Sequence, residues 1–167
     1  MNNGLRRAFF PAAFVMLLVA GCAQPPRAAL VNDPANRAWA GRLSLQVESE
    51  PPQSFSAGFE LKGQPDRGDL TLISPLGNVL GVVRWAPGQA ELDQGNGSPQ
   101  RYASLDALMT QVTGAAVPVS ALFAWLQGDN AQFAGWSADL SRQPDGRITA
   151  KRTQPAPAAD LRVVLDR

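Results

Sequence analysis

From Trp39 onward apolar and polar residues alternate along the chain. Leu43, Leu45 and Val47 fall on one side of an extended segment, while Arg42, Ser44 and Gln46 fall on the other. A period of two is that of a strand with one dry face and one wet face. The pattern returns in Phe55, Ala57, Phe59 and Leu61 after the turn signal Pro51-Pro52, so these two segments are expected to pair antiparallel. A third strand is expected from Asp69 to Ser74. The tetrad Pro75-Leu76-Gly77-Asn78 then reads as a tight turn: proline presets φ, glycine tolerates positive φ, and Leu76 sits at the tip. Strand resumes from Val79 to Trp85, turns at Pro87-Gly88, and continues from Gln89 to Asp93 before the polar loop Gln94 to Gln100.

The period then lengthens. Ser104 is an N-cap candidate with Asp106 in the positive first turn, and Leu105, Leu108, Met109 and Val112 form one helical stripe that Gly114 ends. A second helix is predicted from about Ser120 to Gln127, where Leu122, Phe123, Trp125 and Leu126 load nearly every side with apolar bulk before Gly128. Such a helix needs a concave partner. Three strands close the chain: Trp136 to Ser141, Arg147 to Arg152 across an Asp145-Gly146 hairpin signal, and Leu161 to Asp166. One arrangement accommodates every segment: a mainly β, α+β fold in which two inserted helices lie across the concave face of a strongly curved antiparallel sheet.

Ahead of this domain, Arg6 and Arg7 precede an apolar run from Ala8 to Ala20 that ends in small residues before Cys22. The run is shorter than the ~20 residues a spanning helix needs and contains Pro11, so it reads as a signal peptide over residues 1–21. Val19-Ala20-Gly21-Cys22 resembles a lipobox, which implies cleavage before Cys22 and covalent lipid on it, an S-diacylglycerol and an N-acyl chain. No other cofactor is expected. Residues 22–38, with Pro25, Pro26 and Pro34, suit a semi-extended tether, and residues 39–167 form the domain. An aspartate after the lipidated cysteine would resemble an inner-membrane retention signal. Ala23 stands there instead, so the expected address is the outer membrane, with the domain facing the periplasm.

Composition narrows the chemistry. Once residues 1–21 are removed, 146 of the 167 residues remain, about one domain and enough to bury a core. Arg6 and Arg7 leave with the signal, so 13 basic residues face 14 acidic ones, a balance that gives nucleic acid no electrostatic footing. The chain has no histidine and a single cysteine, Cys22. Disulfides, thiol catalysis, a Ser-His triad and His-based zinc sites are thereby excluded. A Gly-x-Ser-x-Gly elbow, a Ser-x-x-Lys pair and a phosphate-binding Gly-x-x-x-x-Gly-Lys loop are also missing, so neither catalysis nor nucleotide hydrolysis is expected. Glu48 and Glu50 share a strand face, but they stand beside Pro51-Pro52 at its end, as solvated charges do.

Several motifs stand in an order that resembles one family. They are Trp39-x-Gly41-Arg42-Leu43, Pro75-Leu76-Gly77, Gly114 with Val117-Pro118-Val119, Leu122-x-x-Trp125-Leu126-x-Gly128, and Gly135-Trp136. Together with the lipobox they resemble the outer-membrane lipoprotein receptor LolB, over nearly all of the chain after the tether. The resemblance implies a half-open β-barrel with its helices as a lid over an apolar cavity. It also implies partners: a soluble LolA-like periplasmic carrier, the acyl chains of lipoprotein cargo, and the lipid of the outer membrane. A monomer is expected.

Two readings of the apolar positions remain open at this level. Leu43, Leu45, Phe55, Phe59, Leu70, Leu72, Val82, Leu92, Leu122, Trp125, Leu126 and Trp136 are candidates for an acyl-chain cavity, yet the same periodicity describes a filled core. With a filled core the protein would be a structural envelope lipoprotein that binds a partner through its sheet. Pro75, Leu76 and Gly77 are candidates for a membrane-insertion loop, with Leu76 either dipping into a bilayer or folding back beneath its own turn. Arg142, Arg147, Lys151, Arg152 and Arg162 make the C-terminal strands basic, as an acidic carrier rim, lipid phosphates or plain solvation would each favour.

Overall fold

The computed structural model describes residues 32–35, 37–113, 117–133 and 135–166. The signal segment and Cys22 lie outside these residues, as does Gly114. Nine strands form a single antiparallel sheet: β1 Ala38–Val47, β2 Gln53–Gln64, β3 Arg67–Ile73, β4 Val79–Ala86, β5 Gln89–Asp93, β6 Gln100–Tyr102, β7 Trp136–Asp139, β8 Arg147–Arg152 and β9 Ala159–Leu165. Two helices, α1 Leu105–Thr113 and α2 Val119–Gln127, are inserted between β6 and β7. The spatial order is β6-β5-β4-β3-β2-β1-β9-β8-β7, so the last strand turns back to pair with the first. Among the described residues no ladder joins β6 to β7, and the sheet stays open as a curved half-barrel around the helices.

Register carries the alternation across the sheet. Leu43 stands between Ala57 on β2 and Val163 on β9, and Leu45 stands between Phe55 and Leu161. Leu61 faces Leu70, which in turn faces Val83, and Val83 faces Leu92. One continuous apolar face results, and burying it against the helices is what drives the fold. Gly41 sits in this face beside Trp39 and Leu43, where a β-carbon would lie 2.2 Å from the Val164 carbonyl oxygen. Only glycine permits so close an approach, and it allows β1 and β9 to bend together.

α2 is the wedge. Phe123 lies edge-on to Trp39, with ring centroids 5.6 Å apart, and 6.3 Å from Trp85. Two residues on, from the other side of the helix, Trp125 packs against Phe133 and Trp136. Gly128 ends the helix in the left-handed conformation, its N–H donating to the Trp125 carbonyl. α1 begins at Ser104, whose hydroxyl accepts the Ala107 N–H at 3.1 Å.

Some boundaries differ from the sequence reading. β6 lies within and just after the segment expected to be loop, because Gln100 and Tyr102 find partners on β5. The Asp145-Gly146 signal is not a two-residue hairpin: a short 3-10 turn, Gln143–Asp145, intervenes, and Gly146 caps it at φ 73°. The stretch read as a free tether to residue 38 is already tied down at Asn32. Its side-chain oxygen accepts the Ala40 N–H at 2.7 Å and its amide donates to the Asp166 carbonyl, while Asp33 and Ala38 exchange backbone hydrogen bonds. The chain therefore joins the domain at the Ala38 end of β1.

Candidate functional site

The interior is filled on one side and hollow on the other. Between the two helices and strands β1 to β5 and β9 lies a cavity of about 310 Å³ whose described lining includes no charged side chain. Leu43, Leu45, Phe55, Phe59, Leu70, Leu72, Leu92 and Leu122 line it. So do Leu105, Leu108, Met109 and Val112, the whole stripe of α1. The volume is at the low end of the ~300–1,000 Å³ usual for ligand sites.

Four positions expected to line this space do not. Trp125, Leu126 and Trp136 are fully buried where α2 meets β7 and β8. The Trp125 ring N–H donates to the Ala131 carbonyl, and the Arg152 guanidinium stacks over Trp136. α2 is apolar on nearly every side, so its sequence did not say which face met the hollow. Val82 is the fourth. It pairs with Thr71 and Asp93 on the outer face, and its neighbour Val83 points inward. Val79-Leu80-Gly81-Val82-Val83 has no alternation from which parity could be read, and a β-bulge between Leu72 and Ile73 shifts the register there. The bulge also lets Leu80 and Gly81, adjacent in sequence, both border the hollow. Among residues not foreseen, Val47, Leu61, Val83, Trp85, Leu161 and Val163 share the same inward parity.

Where the hollow opens is fixed by residues that both line it and meet solvent. Phe55, Leu80 and Val112 are 37%, 42% and 49% exposed. The uncharged Gln53, Ser54, Gln94 and Thr113 complete this rim. The Val47, Gln53, Ile73, Val79 and Asp93 ends of their strands point the same way, in steps because Ile73 pairs with Gly58 and Asp93 with Val82, so the mouth faces away from the Asn32 hook at the start of β1.

The β3–β4 turn projects from this same end. Gly77 N–H donates to the Ser74 carbonyl at 2.9 Å, which makes Ser74-Pro75-Leu76-Gly77 the turn, with proline at its second position and Gly77 at φ 85°. Ser74 also accepts the Asn78 N–H through its hydroxyl. Leu76, at the tip, is 89% exposed and not folded beneath the turn. Exposing a leucine so fully forgoes about 1.5–3 kcal/mol of burial, and nothing in the turn's hydrogen bonding requires an apolar residue there.

The basic residues of the last strands divide. Arg142 pairs with Asp145, and Lys151 pairs with Asp160 at 3.5 Å. Arg152 is buried and donates twice to the Pro157 carbonyl. Arg147 and Arg162 remain exposed on the outer face. Near the far end of β7, the Asp139 carboxyl accepts from the Ser141 hydroxyl and backbone N–H, which hold its pKa below the ordinary value. It takes no part in the hollow.

The family model described as "Outer membrane lipoprotein LolB" matches residues 36–158. The chain belongs to this family. Similar LolB proteins include the "Outer-membrane lipoprotein LolB" of Bordetella petrii, 31% identical over 168 residues, with 86% of this chain and 84% of the relative covered. Its counterpart from Cupriavidus taiwanensis is 34% identical over 87% of this chain and 73% of that protein. The LolB of Dechloromonas aromatica is 31% identical, covering 84% and 74%. The LolB match spans β1 through β8 and both helices, and ends just before β9, which lines the hollow through Leu161 and Val163.

Proposed function

We propose that this chain is a receptor anchored to the outer membrane through lipid on Cys22. It accepts the acyl chains of lipoproteins from a LolA-like periplasmic carrier into the hollow and releases them into the outer membrane without hydrolysing nucleotide. The observation that carries this reading is the hollow itself, apolar, uncharged and open at one end. A chain of ~15 carbons left in water costs roughly 12 kcal/mol at ~0.8 kcal/mol per methylene, so transit requires a continuous apolar shelter. With no fuel, transfer runs downhill only if the hollow binds more tightly than the carrier and less favourably than a bilayer. Partial enclosure suits that middle rank.

The rim supports the same direction of release. Leu76 on the turn, with Val79 and Leu80 just after it at the start of β4, is exposed at the mouth, and an apolar tip enters a membrane interface more cheaply than a charged one. A chain leaving past Phe55 and Leu80 would pass from one apolar surface to another. Titrating the protein with a hydrophobic fluorescent probe tests the reading. Saturable binding that a purified lipoprotein displaces is expected; absence of binding would leave a scaffold with an unoccupied interior as the better account.

A further inference from the structure

We propose that the outer face of β1, β9 and β8 is a docking surface for the phosphate headgroups of the membrane that carries the anchor, holding the molecule with its mouth turned away from that membrane. The inference rests on the anchored-receptor reading above and adds a surface which that reading does not contain.

Register brings three arginines together there. Arg42 on β1 faces Val164 on β9, which faces Arg147 on β8; in the next row Ser44 faces Arg162, which faces Thr149. Adjacent strands are ~4.8 Å apart, so Arg42 and Arg147 flank Val164 at roughly 10 Å from one another, with Arg162 one row along. All three arginines are exposed, and Val164 between them is 42% exposed. None forms an ion pair among the described residues. The nearest carboxylates on the face are Asp160, occupied by Lys151, Glu60, half-buried on β2, and Asp139 on β7, which faces Thr149 and accepts from Ser141, while Asp166 lies at the strand end.

Such a face favours an anion, and guanidinium groups match phosphate oxygens two at a time. Its position selects the source of the phosphate. The chain leading from Cys22 enters the domain at Asn32, whose side chain bridges Ala40 and Asp166, two residues from Arg42 and from Val164 respectively. Only the ten residues 22–31 separate that hook from the anchor cysteine, so the membrane holding the lipid lies beside this face before any soluble partner does. The mouth is at the other end of the strands, which in this pose points it toward arriving carrier.

Headgroup quenching tests the proposal on the full lipidated protein. Lipid blocks Cys22, so Thr149→Cys supplies one thiol for a fluorophore on the face, and Asn96→Cys supplies one at the mouth end. Each protein is reconstituted in vesicles of phosphatidylcholine, with or without phosphatidylglycerol, that carry a headgroup-attached quencher. The label at position 149 should be quenched, more strongly with the anionic lipid and less at high salt, while the label at 96 should stay bright. Each arginine near an anionic surface is worth about fivefold in binding, so Arg42→Gln, Arg147→Gln and Arg162→Gln together should lower the docked-to-undocked ratio about a hundredfold. Unchanged thermal unfolding of the triple variant would show that the face, not the fold, was altered.

Equal quenching at the two positions, or quenching indifferent to the three substitutions, would overturn the proposal. So would a triple variant that receives cargo poorly from carrier while the label at 149 is never quenched, an outcome that assigns the arginines to an acidic protein surface. Flotation with the vesicles reports the anchor separately. Protein that floats without quenching removes the docking face alone, and protein that fails to float removes the anchor and the docking face with it.

Discussion

At single positions the most informative residue is one that the fold gains nothing by exposing. Leu76 crowns a turn whose hydrogen bonds come from Ser74, Gly77 and Asn78, and its side chain stands free. Replacing it should therefore leave stability within about 0.5 kcal/mol. Leu76→Glu is expected to bind probe and accept cargo as the parent does, but to insert lipoprotein into vesicles at least tenfold more slowly, since a carboxylate resists leaving water. A variant that inserts cargo at the parent rate would remove Leu76 from the mechanism. This position was legible because Pro75 and Gly77 define a turn in any sequence. Val82 was not, because an unbroken apolar run carries no parity and the bulge that set its register is a product of tertiary pairing.

Elements repeat this contrast. Strands with a clean alternation, such as β1 and β2, were legible together with the face they bury, and eight of the twelve proposed lining residues do border the hollow. α2 could be placed but not oriented, because Phe123, Trp125 and Leu126 make every side apolar; only contact with Trp39, Trp85 and Trp136 decides its rotation. α1 is the more conditional helix. It has nine residues, too few to be stable alone, and its lining stripe borders empty space along part of its length. Its Ser104 cap should then matter more than usual. Ser104→Ala is expected to cost about 1 kcal/mol, to speed amide exchange in residues 105–113 and to weaken probe binding, with the exchange of β1 and β2 unchanged. Uniformly faster exchange across the sheet would instead mean that α1 and the strands unfold as one unit.

For the whole molecule, the feature with the widest consequence is the placement of the Asn32 hook at one end of the strands and of the mouth and Leu76 at the other. β1 alone, ten residues at ~3.3 Å each, sets the hook about 33 Å from the Val47 edge of the mouth. The ten residues from Cys22 to Val31 reach at most about 36 Å when drawn straight. On the anchored reading the leash is thus barely as long as the body it holds, and Leu76 meets the bilayer only when the body swings over with its leash taut. Deleting Gln24–Ala28 should leave cargo receipt intact and slow delivery severalfold, and releasing the shortened protein from its lipid should restore the rate. Delivery that ignores leash length would show that lipoproteins leave the hollow without any somersault, and a longer leash would then confer no advantage on the protein that carries it.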